Sequence, residues 1–149
     1  MGLSLSNIAS TYEFLKQPKK AIASYLEAIR LQSLIGDLRV KAIAMSNLAS
    51  ICIEIKKYDT AFILIQQSLK IREQLGNPDN IALSHLILSQ YYKNINDSQK
   101  SFESALKAYE FAAKYKTTEI VKRCAEALYK ISEERGDKAS AFTYFKEFI

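Results

Sequence analysis

Residues 6–10 read SNIAS, and residues 46–50 read SNLAS. The offset of 40 residues is too long for a heptad and too short for a duplicated domain, so it points to a structural repeat. Stepping outward at that period, Ile8, Leu48, Leu88 and Leu128 form one column of large aliphatics. Ala9, Ala49 and Ser89 form a column of small residues that ends in Tyr129. Ala21, Ala61, Ser101 and Ala141 form a second small column, and Tyr25, Ile65, Ala105 and Phe145 form a further one. Gly36 and Gly76 mark the same joint in two copies. The chain therefore divides into a single array of four units, at about 1–37, 38–77, 78–117 and 118–149, the last cut short.

Inside each unit the apolar spacing is helical, with no sustained two-residue alternation. Only 4 Gly and 2 Pro occur in 149 residues, so strand-ending turns are scarce and long helices are favoured. Pro18 suits the first turn of a helix, Asp59 is placed to cap one, and Asn77-Pro78 reads as an N-cap followed by a first-turn proline. Gly136-Asp137 ends one helix and caps the next. The punctuation predicts eight helices, roughly 3–16, 18–35, 38–56, 59–75, 78–95, 98–115, 119–135 and 138–148. Small residues where the two helices of a unit cross let their backbones approach to the lower end of the ~8–10 Å packing range. Each pair then leaves an apolar face for the next pair to cover.

These residues carry a family resemblance. Ile8-Ala9 and Tyr12 in the first helix, then Ala21, Tyr25 and Ala28 in the second, follow the tetratricopeptide-repeat pattern. Leu48-Ala49, Ala61, Ile65 and Ser68 follow it in the second unit. Departures are Cys52 and Ala105 at aromatic positions, and Met45 and His85 where the family often has Trp. The chain thus resembles a tetratricopeptide-repeat array, of the longer-period kind found in kinesin light chains and bacterial regulators. The resemblance implies an all-α, right-handed superhelical stack of antiparallel helix pairs, with the extra residues lengthening the second helices. It also implies a concave groove, lined mainly by first helices, that takes a peptide or protein partner.

Ser and Asn are mediocre helix formers, so their return in register needs a reason beyond packing. In the resembling family the Asn faces the groove, where its acceptor and two donors can grip an extended peptide backbone. The predicted groove residues are Ser6, Asn7, Ser10, Ser46, Asn47 and Ser50, then Leu83, Ile87, Gln90 and Asn94, then Arg123 and Lys130. Asn47 fits the family's clamp for a C-terminal carboxylate. Ser6 and Ser10 stand where a Lys and an Asn would be expected, however, and Leu83 with Ile87 replaces the later basic pair. A ligand with apolar side chains and mixed charge suits such a wall better than a chaperone tail.

Nothing points to catalysis. The one His, His85, falls on a core-facing side, and Cys52 and Cys124 lack metal-ligand spacing. Two units apart, on the order of 20 Å if helices pack ~10 Å from one another, those cysteines are too distant for a disulfide. The glycines form no phosphate loop. No catalytic residue, metal or cofactor is expected. The net charge of +5 comes from basic residues scattered among acids rather than from a stripe, which argues against a nucleic-acid partner. Apolar runs such as AFILI at 61–65 fall far short of the ~18 residues of a membrane span, and MGLSLSN has no basic leader. Neither a signal peptide nor a membrane contact is expected, and the location reads as cytoplasmic, or periplasmic if the segment belongs to a membrane sensor.

The closing stretch ALYKISEERGDKASAFTYFKEF, 127–148, resembles the last repeat that precedes the output domain in bacterial sensor kinases and helix-turn-helix regulators. The expected function is therefore an interaction scaffold, the sensory or assembly segment of a larger bacterial regulator. A free-standing adaptor is the alternative. The final helix carries Phe142, Tyr144, Phe145, Phe148 and Ile149, more large apolar groups than one helix can bury on one unit, so self-association through it is expected.

Overall fold

The computed structural model describes residues 2–149, and the side chains of residues 5–149. Eight helices follow in order: α1 (Gly2–Phe14), α2 (Pro18–Ile35), α3 (Leu38–Glu54), α4 (Tyr58–Leu75), α5 (Pro78–Asn94), α6 (Ser98–Lys114), α7 (Thr118–Glu134) and α8 (Lys138–Phe148). There is no strand among the described residues. The fold is all-α, a succession of antiparallel helix hairpins, as the resemblance implies. The helix starts at 38, 78 and 118, and at 18, 58, 98 and 138, keep the 40-residue period without slippage.

The period is enforced by backbone joints. Left-handed residues occur at Lys16, Gly36, Lys56, Gly76, Asn96, Lys116 and Gly136, one every 20 residues. At most of them the following residue's N–H reaches back five positions, as Lys57 does to the Cys52 carbonyl (2.8 Å) and Asp97 to Tyr92 (2.9 Å). That pattern satisfies carbonyls a helix end would otherwise leave bare. Starts are capped by Asp37, Asn77, Asp97 and Asp137, each accepting from the backbone N–H three residues on. Asp59 is not a cap: α4 begins at Tyr58, so its carboxylate lies inside the first turn, where the helix dipole still favours it. The extra length is shared rather than given to the second helices, since α3, α5 and α7 have 17 residues and α2, α4 and α6 have 18, 18 and 17.

The chain forms two compact units, Met1–Leu75 and Gly76–Ile149. In the first, α1 pairs with α2, α3 with α4, and α2 packs on α3. In the second, α5 pairs with α6, α7 with α8, and α6 packs on α7. The small columns occupy the crossings. Ala9, Ala21, Ala49 and Ala61 are fully buried, and in the third hairpin Ser89 and Ser101 each donate a hydroxyl hydrogen bond to the other's carbonyl, at 2.7 and 2.9 Å. Tyr129 is too large for that position. It is half-buried and packs at a tilt against Phe145 and Phe148, its ring centroid 5.4 Å from each.

Candidate partner-binding face

The first helices of successive hairpins touch, α1 with α3 and α5 with α7, so in each unit they form one wall. Reduced by the repeat period, ten of the twelve predicted groove residues fall on four positions of that wall. Leu83 and Arg123 share one; Asn7, Asn47 and Ile87 the next; Ser10, Ser50, Gln90 and Lys130 the third; Asn94 occupies the fourth. Steps of four, three and four residues keep these positions on one helix face. All ten remain exposed or half-buried.

Ser6 and Ser46 do not belong to this face. Each is one residue before the Asn column and so about 100° away around the helix, and both are buried. Ser46 shares a 2.7 Å hydroxyl contact with Ser68, which donates to the Ala42 carbonyl at 2.9 Å. Ser46 therefore links α3 to α4 inside the hairpin and is not open to a ligand. At the position equivalent to Ser68 the first hairpin has Ala28, and the Ser6 hydroxyl has no partner among the described residues. Ile8 departs in the other direction: it is exposed, where Leu48 and Leu128 are buried.

In the first unit the face is organised by Tyr25 on α2. Its hydroxyl lies 3.0 Å from Ser10 Oγ and donates to Glu13 Oε2 at 2.8 Å. Burial, with the Glu13 contact adding to it, pushes the phenol up to about 12. The network fixes Ser10 in orientation. The Asn47 side chain is half-buried on the same face, and its amide has both donors and an acceptor to offer a ligand.

In the second unit Gln90, Arg123 and Lys130 line a cavity of about 290 Å³ between α5 and α7, together with Lys93 and Glu126. Leu83, Ile87 and Asn94 lie outside it. Lys93 pairs with Glu134 at 2.7 Å and Lys130 with Glu126 at 2.6 Å. Arg123 makes no ion pair among the described residues. Lys93 is not among the groove residues predicted from the sequence. The signal for it was available, since Lys93 is three residues beyond Gln90, one helical turn along the same wall.

Groups capable of chemistry elsewhere are sealed. His85 is buried against Phe111 with centroids 6.0 Å apart, and burial, aided by Lys107, lowers its affinity for a proton. Both cysteines are free and buried, and burial raises the Cys124 thiol to about 11 and that of Cys52 in the same direction. Among the described residues no group of His, Cys, Asp or Glu is placed to hold a metal, and no helix is long and apolar enough to cross a membrane.

A sequence model of the tetratricopeptide repeat matches residues 40–114, and a second of the same description matches residues 4–33. The chain belongs to the tetratricopeptide-repeat family. No curated protein matches it in sequence. Among solved structures it is similar to a Rap protein complexed with competence and sporulation factor, with a TM-score of 0.90 at 14% identity, over 97% of this chain and 41% of that one. BtubC (BKLC) from P. vanneervenii gives 0.85 at 17% identity, over 97% of this chain and 60% of that one. Kinesin light chain-like TPR repeats from Podosopora anserina give 0.80 at 15% identity, over 97% and 72%. The chain thus spans less than two thirds of the length of the first two.

Proposed function

We propose that this chain is a protein-interaction module that takes an extended segment of a partner protein along the wall formed by its first helices. One observation carries the reading. At four successive turns of those helices the side chains stay accessible and hydrogen-bonding or mixed in character, while neighbouring positions on the same helices are sealed into the hairpins. Packing does not require Asn, Gln or Arg on such a face; a ligand backbone with its own donors and acceptors does. In the first unit the offered groups are the amide of Asn47 with Ser50, and in the second the uncommitted Arg123 beside Gln90. A single continuous array of four repeats, serving as the sensory or assembly segment of a larger bacterial regulator, is the form of module favoured here. Support comes from the Rap structure, in which the same fold occurs within a longer chain and is complexed with a factor. A free-standing adaptor would use the same face.

The test is site-specific photo-crosslinking in lysate of the source cells. A crosslinking residue replacing Ile87 or Ser50 is expected to give a discrete partner adduct that Arg123→Glu combined with Asn47→Ala abolishes. One replacing Ile63, exposed on α4, is expected to give none. Equal labelling from all three positions, unaffected by the double variant, would overturn the assignment. The genes flanking the coding sequence separate the regulator from the adaptor.

A further inference from the structure

We propose that the hairpin α5–α6 carries a second site, separate from the partner-binding face, that takes a small oxyanion of the phosphate class beside His85. The third hairpin departs from the repeat here. At the 40-residue period His85 stands where the other copies have Leu5, Met45 and Ala125, and Lys107 where they have Glu27, Gln67 and Glu147. Glu103 and Ser104 stand where the second copy has Ile63 and Leu64. The other copies pack without these groups, so packing alone does not call for them.

The structure brings them together. His85, Tyr92, Lys100, Glu103, Ser104 and Lys107 line a cavity of about 240 Å³ on this one hairpin. That is below the roughly 300 Å³ at which pockets begin to hold drug-sized ligands, so the space suits an inorganic ion and its water better than a peptide. Lys100, Ser104 and Lys107 follow one another at steps of four and three residues, which puts them in one stripe along α6 with the hydroxyl between the two ammonium groups. The acids nearby are engaged: Glu103 accepts from Gln99 Nε2 at 2.7 Å, and Asp97 lies 3.5 Å from Lys100. Lys107 makes no ion pair among the described residues. His85 adds a directional contact. It is 8% exposed, and its Nδ1 is buried without a hydrogen-bond partner. An orphaned acceptor is better tolerated in such a place than an orphaned N–H, which assigns the ring proton to Nε2 and makes the neutral ring a donor. Two ammonium groups, a hydroxyl and a ring N–H thus border one cavity, a donor-rich set that matches the acceptors of a tetrahedral oxyanion.

His85 is the one histidine of the chain, so its imidazole is a built-in label for the site. Inorganic phosphate is titrated at neutral pH and fixed ionic strength while nitrogen–proton NMR follows the ring. The His85 signals are expected to move along a saturable curve. Lys107→Gln, at an exposed position, is expected to weaken that binding about tenfold with helical circular dichroism unchanged. Arg123→Gln, in the cavity between α5 and α7, is expected to leave it as it was, so the result does not depend on the partner-binding reading. Glycerol phosphate distinguishes the sources of the ligand: equal or tighter binding marks the phosphoryl group of a small molecule, and weaker binding marks the free ion. A linear drift no larger than added chloride gives would overturn the proposal. So would a saturable shift that Arg123→Gln abolishes and Lys107→Gln leaves intact.

Discussion

Ser6 and Ser46 share a repeat position and differ in what lies across the hairpin, Ala28 for one and Ser68 for the other. The same residue type thus has opposite energetic sign in the two copies. Ser46→Ala removes a buried hydroxyl that joins two helices and is expected to cost about 1 kcal/mol in chemical denaturation. Ser6→Ala removes a buried hydroxyl without a partner and substitutes a better helix former, so it is expected to be neutral or stabilising by a few tenths of a kcal/mol. Equal losses in both would show that Ser6 has a partner of its own. From sequence both serines look like groove residues because SNIAS spans more than one helical turn, and adjacent letters of a repeated phrase face different ways. Which letter turns inward is set by the partner helix, and no spacing within α1 or α3 reveals it.

At the scale of elements the sequence was far more legible. Every helix was foreseen to within two residues at each end, because Pro18, Gly36, Gly76, Asn77-Pro78 and Gly136-Asp137 are local signals whose chemistry acts through the backbone alone. What escaped notice were the left-handed joints at Lys16, Lys56, Asn96 and Lys116, which look like ordinary surface residues. They are tolerated because the preceding helix and the following cap both depend on the turn. Lys56→Gly is expected to relieve a strained φ of 62° and raise stability by about 0.5 kcal/mol, a gain reduced by glycine's greater freedom in the unfolded chain. Gly76→Ala is expected to cost about 1 kcal/mol. At Gly76 a Cβ would meet nothing within 4 Å, so that loss is purely one of backbone conformation. Thermal melts of the two variants, moving in opposite directions, would confirm that the joints and not the side chains around them hold the period.

For the molecule as a whole, the candidate residues carry two chemistries, one in each unit: neutral amide and hydroxyl groups around Asn47 in the first, and a basic cavity around Arg123 in the second. Lys93 and Lys130 are largely neutralised by Glu134 and Glu126, so the uncommitted charge in the cavity is that of Arg123. An arginine with a free planar fork is suited to a carboxylate of the partner segment, and such a contact at a partly open site weakens as salt screens it. The neutral contacts at Asn47 have no such dependence. Once the partner segment is in hand, its affinity is expected to fall as ionic strength rises from about 0.05 to 0.5 M, where the Debye length shrinks to a few ångströms. Arg123→Gln is expected to weaken binding at low salt by about tenfold and to flatten the salt dependence. Asn47→Ala is expected to cost about 1 kcal/mol at every salt concentration and leave the slope as it was. A salt slope unchanged by Arg123→Gln would place the charged contact elsewhere, on the net positive surface in general and not in the cavity.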